Sequence, residues 1–517
     1  MHSKKIIKSI GVITASTLFS RILGYARDMA IANYFGAHAI ADAFYVAYRI
    51  PNLLRRLLGE GALIAAFVPV YTGYLTNKDE EDAKRFLSTL ATFLSIALIA
   101  ITIAGIYFAP LILKVIAPGF AVSSEKFTLA VTLTRIMFPF FIAVGISALF
   151  MGILNSHHVF LYPAISPCFL SLSELAFMFL ICPFMENPIT GLAMGVVCGG
   201  MLQALFQLPV ILRRKIRFSI SFNWRNEGFR RVALLMLPAA MAVSVDQLSA
   251  FIDVICASWL KVGSISALYY SNHLTLFPMG LFGVAVSTVS LPALSRAASY
   301  NNFDEIKSTL NTSLRFMIYC MMPSLVGLAV LAYPVVRLLF ERGKFNNIAT
   351  VMTSQALVFY TLGLTAYASV KILSTAFYSL KDTKTPVKTG SISMIMNAEL
   401  NLILMQYMQV RGLAFATAIA STFNALMLFY FLRKKIGRLG LKKMTIDTIK
   451  IIISAGIMGI ICRYLYIMLF DSRILSVFVP IFAGIVVYFL LTYLLRIDET
   501  IHILDIIKGL KKKNVKD

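Results

Sequence analysis

The chain has 517 residues, of which 59% are hydrophobic and only 14% charged, and its formal net charge is +24. Soluble globular domains carry about 25% charged residues, so this composition excludes a soluble protein. Apolar runs long enough to cross the ~30 Å hydrocarbon core of a bilayer recur along the whole chain. We therefore predict an all-α, polytopic membrane protein.

Fourteen apolar runs predict fourteen transmembrane helices. The first run is too long for the apolar region of a signal peptide and lacks a small-residue cleavage site, so we expect it to be retained. The six cysteines are scattered singly through these runs, which favours core positions over a metal site or a disulfide. In chain order the predicted spans lie at roughly 9–33, 38–75, 86–110, 127–155, 159–184, 190–212, 231–260, 265–297, 309–340, 347–378, 386–408, 412–432, 449–470 and 475–495.

Lysine and arginine concentrate at the N-terminus, in alternate loops and in the C-terminal tail. Two such stretches are "LRRKIRFSISFNWRNEGFRR" at 212–231 and "KGLKKKNVKD" at 508–517. The positive-inside rule assigns these stretches to the cytoplasmic side, so both termini are expected there. The surplus positive charge then reflects topology, and we expect anionic membrane lipids rather than a nucleic acid as its partner.

An internal repeat divides the chain. "GILNSHHVFLYPAISP" at 152–167 is echoed by "TAFYSLKDTKTPVKTG" at 375–390, and "GLAMGVVCGGMLQALF" at 191–206 is echoed by "GLAFATAIASTFNALM" at 412–427. Paired repeats of this kind are typical of transporters whose substrate site lies between the halves. The predicted organisation is a six-helix lobe at 1–212, a cytoplasmic amphipathic linker at 213–230 and a second six-helix lobe at 231–435. Two further helices follow at 445–496, and a basic cytoplasmic tail follows at 497–517.

Charged side chains inside the predicted spans are the sharpest local signal, because each costs about 3 kcal/mol at the centre of a bilayer. Most of the bases lie in the first two spans, where they outnumber the acids. An excess of positive charge in a low dielectric needs an anion, and phosphate suits arginine through bidentate hydrogen bonds. We therefore predict a buried anion-binding chamber there. The charged residues are Arg21, Arg27, Arg49, Arg55, Arg56, Arg135, Lys371, Asp28, Asp42, Glu60, Glu174, Asp246, Asp253 and Glu399.

Helical periodicity indicates which of these charges share a face. Arg21 and Asp28 lie on one face of the first span, with Arg27 offset from it. In the second span Asp42, Arg49, Arg56 and Glu60 follow one stripe. Pro51 interrupts the hydrogen-bond ladder there, so either Arg55 or Arg56 faces the chamber.

Structural interpretations stay open for several charges. Arg21 and Asp42 would then belong to neutral pairs that hold the first two helices together, and Arg49 and Arg56 would reach toward the headgroups. For Arg135, Glu174 and Glu399 the structural interpretation is preferred, and Lys371 is divided evenly between chamber and structure. The sequence contains no nucleotide-binding, metalloprotease or nucleophile motif, so neither an ATP-driven pump nor an enzyme is expected.

Four motifs resemble those of the MviN/MurJ family of lipid II flippases, in the multidrug/oligosaccharidyl-lipid/polysaccharide exporter superfamily. The resemblance runs over essentially the whole chain. The motifs are "FSRILGYARD" at 19–28, "ADAFYVAYRIPNLLRRLLGEGALIAAFVPVY" at 41–71, "FPMGLFGVAVSTVSLPALS" at 277–295 and "FYSLKDTKTPVK" at 377–388.

The resemblance implies a transporter of the bacterial inner membrane that moves lipid II, the undecaprenyl-diphosphate-linked peptidoglycan precursor, from the cytoplasmic to the periplasmic leaflet. Spans 13 and 14 are similar to a pair that forms a lipid-tail groove. The resemblance also raises other cell-wall synthesis proteins as partners, and we expect a functional monomer. Joined with the charge pattern, it predicts substrate-binding residues Arg21, Arg27, Asp28, Asp42, Arg55, Arg56, Glu60, His273 and Lys371.

The sequence departs from the family in the eighth span. Relatives often carry Asp-Arg with a Glu three residues later, whereas this chain has Asn272, His273 and Leu276. Histidine changes its charge near neutral pH, so His273 is the candidate for a cationic group of the second lobe that binds the anion. Some relatives use a sodium site, for which Asp253 is a weak candidate here. No cofactor is expected, and the membrane potential favours outward movement of an anion by ~2.3 kcal/mol per charge per 100 mV.

Three other functions compete with this prediction. A multidrug or cation antiporter of the same superfamily would need an acid-dominated site, which the arginine excess disfavours. Another polyprenyl-linked oligosaccharide flippase is an alternative of the same kind. A polyprenyl-phosphate glycosyltransferase would need acidic residues in a sizeable loop outside the membrane. Even the longest loops of this chain are short, and they are basic.

Overall fold

The computed structural model describes residues 2–59, 62–437 and 441–513, and across these ranges every regular element is helical. The prediction of an all-α protein is confirmed for this part of the chain. Within these ranges the structure describes every side chain except those at 2–15, 17, 54, 57–59, 62, 237–246, 284–285, 441–443 and 506–513.

The chain divides into two compact units. The first comprises Met1–Ser266 and Arg342–Phe345, and the second comprises Ala267–Glu341 and Asn346–Asp517. The unit boundary lies beyond the predicted linker at 213–230, because the helix after that linker packs on helices of the first unit. The lobe limits drawn from the repeat stay a prediction.

The first unit is a bundle of ten helices over the described residues. Short 3-10 turns at Pro118–Val122 and Cys182–Phe184 separate some of them. Its core lies where α3, α4, α6, α9 and α10 meet, with the ring of Phe67 stacked on Tyr71 and on Phe86. The helices are α1 (His2–Phe35), α2 (Ala39–Gly59), α3 (Ala62–Asn77), α4 (Glu80–Ile116), α5 (Ser124–Met137), α6 (Phe140–Ser156), α7 (Leu161–Ile165), α8 (Cys168–Leu180), α9 (Pro188–Arg213) and α10 (Glu227–Ser258).

The second unit has its core between α12, α13, α16 and α18, where Met317, Ile372, Phe377 and Leu428 are fully buried. A π-helical turn at Met279–Gly283 follows Pro278 and joins two helices that bend by 45°. The helices are α11 (Ser264–Pro278), α12 (Val284–Ser299), α13 (Phe303–Val330), α14 (Ala332–Phe340), α15 (Asn347–Leu362), α16 (Leu364–Ser379), α17 (Lys384–Met408), α18 (Val410–Ile436), α19 (Leu441–Met468), α20 (Leu475–Leu494) and α21 (Asp498–Lys513).

Arg315 ties the C-terminal helices to α13. Its guanidinium lies 3.1 Å from Asp447 of α19 and 3.0 and 2.9 Å from Asp498 and Glu499 of α21. Arg315, Asp447 and Glu499 are largely shielded from solvent, so this cluster holds its charges in a low dielectric. Paired, hydrogen-bonded charges can be buried in this way, whereas an unpaired one is costly.

Eight helical stretches in the described residues are long and apolar enough to cross a membrane, and up to ten if two bent pairs each form one span. The helices α9 and α20 match the predicted spans at 190–212 and 475–495 closely. The second predicted span, 38–75, corresponds to two helices, α2 and α3, on either side of residues 60–61. A polytopic membrane protein is confirmed, and the number fourteen stays a prediction.

Candidate functional site

A buried cluster of charges lies where α1 packs against α8. Arg27 Nη2 and Nε donate to Asp28 Oδ1 at 2.8 and 3.1 Å, and Arg27 Nε lies 3.5 Å from Glu174 Oε2. Arg27, Asp28 and Glu174 are 8%, 1% and 2% exposed, so all three charges are shielded from solvent. An arginine held between two carboxylates in this way is kept oriented and charged.

Because it carries glycines, α9 approaches α8 closely beside the backbone of Glu174. A Cβ on Gly195 would lie 3.4 Å from the Cα of Glu174 and 2.9 Å from the Cβ of Phe177. Tight packing behind α8 fixes the direction in which α8 presents its side chains. Because α1 packs on α8, Glu174 projects into the same space as Arg27.

The second helix brings Arg55 to the same cluster. Arg55 Nε donates to Asn52 Oδ1 at 3.1 Å, one turn earlier in α2. Its charge, with those of Arg27 and Asp28, acts on the Glu174 carboxylate, and the buried Tyr48 lies within range of Arg27, Arg55 and Glu174. Of the two arginines that sequence left open, Arg55 is the one whose charge acts on the buried Glu174 and Tyr48. We call Arg27, Asp28, Arg55 and Glu174 the charge cluster.

The other arginines of α1 and α2 have separate surroundings. Arg49 Nη2 donates to the backbone oxygen of Ala250 in α10 at 2.6 Å, and its guanidinium lies 6.0 Å from the Phe251 ring centre. Arg21 and Arg56 are half-buried, and neither forms an ion pair or hydrogen bond with a described residue. Arg49 thus has a structural partner, whereas among the described residues no acid pairs with Arg21 or Arg56.

Asp42 lies in a different environment from the arginines. Its Oδ2 accepts from the Gly263 backbone N–H at 2.8 Å and from Lys126 Nζ at 3.2 Å. Its Oδ1 accepts from the backbone N–H and the hydroxyl of Ser266, at 2.9 and 2.7 Å. Among described residues none of its hydrogen bonds comes from an arginine, so Asp42 acts here as an acceptor for the first turn of α11.

Three predicted site residues remain, of which His273 and Lys371 belong to the second unit. Glu60 lies outside the described residues. His273 is half-buried and its ring stacks on Tyr269, with centroids 4.6 Å apart. Lys371 is half-buried on α16, where its backbone oxygen accepts from the Thr375 hydroxyl. The contributions of His273 and Lys371 to substrate binding stay predictions.

Asp253 is half-buried in α10, and in the described part of the chain no three His, Cys, Asp or Glu residues converge as a metal site would require. In α17 the buried amides of Asn397 and Asn401 bond to each other at 3.2 Å, and Asn397 reaches the Thr417 hydroxyl at 3.3 Å. These are neutral groups. A sodium ion therefore stays a prediction without a carboxylate cluster to support it.

Sequence reasoning missed two residues that the structure brings into these sites. Glu174 is an acid inside an apolar run, which sequence alone marks as unusual but for which it favours a structural role. Lys126 precedes the fourth predicted span by one residue, so it is not among the charges inside the spans. In the structure Lys126 lies near the start of α5, beside Asp42 and 4.0 Å from the Phe120 ring centre.

Comparison with known proteins decides the family. The profile of the family described as "Lipid II flippase MurJ" matches residues 31–484. The chain belongs to the MurJ family. Curated relatives named "Probable lipid II flippase MurJ" include one from Buchnera aphidicola subsp. Acyrthosiphon pisum, 38% identical over 82% of this chain and 83% of its own, and one from Vibrio cholerae, 37% identical over 83% of both.

Solved structures agree with this assignment. One described as "Lipid II flippase MurJ, inward closed conformation" is 30% identical, superposes with a TM-score of 0.81, and is matched over 94% of this chain and 99% of its own. An inward-facing multidrug resistance MATE transporter of the MOP superfamily shares the fold, with a TM-score of 0.69 at 12% identity over 84% of this chain and 99% of its own. The chain is therefore a multi-pass bacterial membrane transporter and not an enzyme.

Proposed function

We propose that this MurJ family member carries lipid II across the membrane by binding its diphosphate on Arg27 and Arg55. The observation that supports this most directly is the buried Arg27, held in place by two hydrogen bonds to Asp28. Guanidinium groups bind phosphate oxygens bidentately, and in a low dielectric such bonds are strong. Arg27 is thus oriented before the substrate arrives.

The balance of charge around α1 and α2 favours an anionic substrate. Asp42 is engaged by Lys126 and by backbone amides, so it does not offset the arginines. Arg21 and Arg56 then supply positive charge beyond that of the charge cluster. A cation-exporting member of the superfamily would need the opposite excess, because like charges repel a bound cation.

The transport cycle that we propose is alternating access across fourteen helices, with both termini on the cytoplasmic side. The internal repeat and the basic loops support this arrangement. An inside-negative membrane potential would favour outward transfer of the diphosphate by ~2.3 kcal/mol per charge per 100 mV. No bound ion is required for that direction.

We also propose that the segment joining α9 to α10 binds a second partner, the anionic lipid of the cytoplasmic leaflet. The backbone N–H groups of Ser219 and Ser221 donate to Ser88 and Thr92 of α4, both at 3.1 Å, so this extended segment is fixed on the bundle. Its apolar side chains stay exposed: Ile220 by 81%, Phe222 by 65% and Trp224 by 60%. Exposed arginines flank them, as in surfaces that bind anionic headgroups.

Transport in liposomes tests the proposed function. Purified protein is reconstituted with fluorescent lipid II and no sugar donor, and the fraction accessible to an external quencher or glycosidase is followed with and without an imposed potential. Wild-type protein should translocate lipid II, and an outward-directed drive on the anion should raise the rate. Translocation that requires a sugar donor, or that selects a cationic drug instead, would contradict the proposal.

A further inference from the structure

We propose that Glu174 is an internal competitor of the substrate: it occupies Arg27 in the empty protein and is displaced from it when the diphosphate binds. This inference rests on the proposed function, because it assumes that Arg27 receives the diphosphate. It makes Glu174 a positioning residue, since it acts on the substrate through Arg27.

The two carboxylates that hold Arg27 do so unequally. Asp28 accepts two hydrogen bonds from the guanidinium, the shorter at 2.8 Å, whereas the Glu174 oxygen is 3.5 Å from Arg27 Nε. A contact of that length is a weak hydrogen bond at best. Asp28 is therefore the firm partner and Glu174 the loose one.

Glu174 is also poorly satisfied elsewhere. Its second oxygen, Oε1, is buried and accepts no hydrogen bond from any described residue. A buried carboxylate oxygen without a donor is costly, and structures retain such groups mainly where they have a role. The packing of α9 behind α8 leaves Glu174 pointed at Arg27 rather than away from it.

Charge within the cluster shows what Glu174 changes. Arg27 and Arg55 contribute two positive charges and Asp28 contributes one negative charge, so the cluster without Glu174 is cationic. With Glu174 ionised it is neutral. The empty protein can thus bury these groups without an external anion, and the arriving diphosphate must take the place of Glu174 beside Arg27.

A competitor of this kind lowers affinity and favours release. If Glu174 returns to Arg27 as the substrate leaves, part of the attraction that holds the diphosphate is replaced inside the protein. Removing the charge of Glu174 should therefore tighten binding and slow release. A purely structural role, in which Glu174 orients Arg27 for the substrate, predicts weaker binding instead.

Equilibrium binding of lipid II to the purified protein, together with single-turnover translocation in liposomes, distinguishes the two roles. Glu174→Gln, which keeps the shape and removes the charge, should bind lipid II about tenfold more tightly, because no ionised carboxylate then competes with the diphosphate for Arg27. Its translocation rate should fall. Glu174→Asp, which keeps the charge, should stay near wild type in affinity.

A double-mutant cycle shows whether the effect passes through Arg27. In an Arg27→Ala background the affinity gain of Glu174→Gln should shrink by at least about threefold, because the group in competition is gone. Glu399→Gln is the matched control, since Glu399 is an exposed acid on α17. If Glu174→Gln does not insert, Glu174→Leu is measured against the same criterion.

The outcomes separate the two proposals. Unchanged or weaker binding by Glu174→Gln, or an undiminished gain without Arg27, would overturn the competitor role alone. Wild-type binding by Arg27→Ala would overturn the proposed function itself.

Discussion

Asp42 accepts two hydrogen bonds on one oxygen from Ser266, from its backbone N–H at 2.9 Å and its hydroxyl at 2.7 Å. The other oxygen is bonded by Gly263 and Lys126. A carboxylate at a helix N-terminus is stabilised by the unpaired N–H groups and by the helix dipole. Asp42 therefore belongs to the packing of α2 against the start of α11 as much as to any chamber.

Replacing Asp42 with Asn should destabilise the purified protein by about 3 kcal/mol, because it leaves the largely buried Lys126 without a counter-ion. Thermal unfolding in detergent measures this. Lys126→Met should be milder, and its combination with Asp42→Asn should recover part of the loss. Strict additivity of the two changes would show that the ion pair contributes nothing.

Arg27→Ala should abolish complementation of a flippase-depleted cell while the protein still inserts, with translocation reduced more than tenfold. Arg27→Lys should rescue only partly, since an ammonium lacks the bidentate fork. Arg135→Ala is the control, because Arg135 is exposed and bonds to the backbone oxygen of Ile106. Normal growth with Arg27→Ala would contradict the predicted role.

Trp224 offers a direct reporter of the exposed segment between α9 and α10, because the chain has two tryptophans and Trp259→Phe leaves Trp224 alone. In vesicles, brominated phosphatidylglycerol should quench its fluorescence more than brominated phosphatidylcholine at equal mole fraction. Each base contributes ~1 kcal/mol toward anionic lipid, about fivefold in local preference. Replacing Arg217 and Arg225 with Gln should reduce the preference.

The matched control for this measurement replaces Lys114 and Arg411, exposed bases at the end of α4 and the start of α18, with Gln. These changes should leave the quenching of Trp224 unaltered. Equal quenching by the two brominated lipids in the parent protein would mean that the segment contacts the membrane without a preference for anionic lipid.

Asp382, in the turn before α17, should confer a pH-dependent stability. Burial alone would raise its pKa, but bonds from Lys435 Nζ at 2.7 Å and from the N–H and hydroxyl of Thr385 hold the pKa below its usual range. A lowered pKa in the folded state gives stability that is present above the unfolded value, ~3.9, and lost as pH falls through the lower folded value.

The stability difference between wild type and Asp382→Asn should therefore be fully present near pH 7 and should shrink as the pH falls below the unfolded pKa of ~3.9. Chemical unfolding across that range measures it, with Asp471→Asn at an exposed acid as the control. A difference that does not change with pH would assign the effect to packing rather than to the charge.

The helices were predictable because apolar runs and their basic ends report directly on a bilayer. The concentration of charge in the first span singled out Arg27 and Asp28, but helical periodicity placed Asp28 on one face with Arg21 and did not predict its bond to Arg27. The partner in α8 did not follow, because Glu174 and Glu399 carry the same signal in sequence. Which of them is buried against an arginine and which is exposed depends on the packing of α1, α8 and α9, and that is a property of the tertiary structure.

The fate of Asp42 shows a second limit. Its spacing from the arginines predicted a common stripe on α2. Its partners come from α5 and from Gly263 and Ser266 at the start of α11, which are far away in sequence. Periodicity gives the direction of a side chain from its own helix axis, but the helix that it meets is decided by connections that no local pattern records.

The cluster at Arg315 sets the point to which the chain can be shortened. Two of its three carboxylates, Asp498 and Glu499, lie in the first turn of α21. A protein that ends at Asp505 keeps both and should retain its thermal stability, with a reporter fused there tolerated. One that ends at Leu495 leaves Arg315 with Asp447 alone and should be degraded or misassembled in cells. The first turn of α21 thus belongs to the folded unit, because its carboxylates neutralise a largely buried arginine of α13.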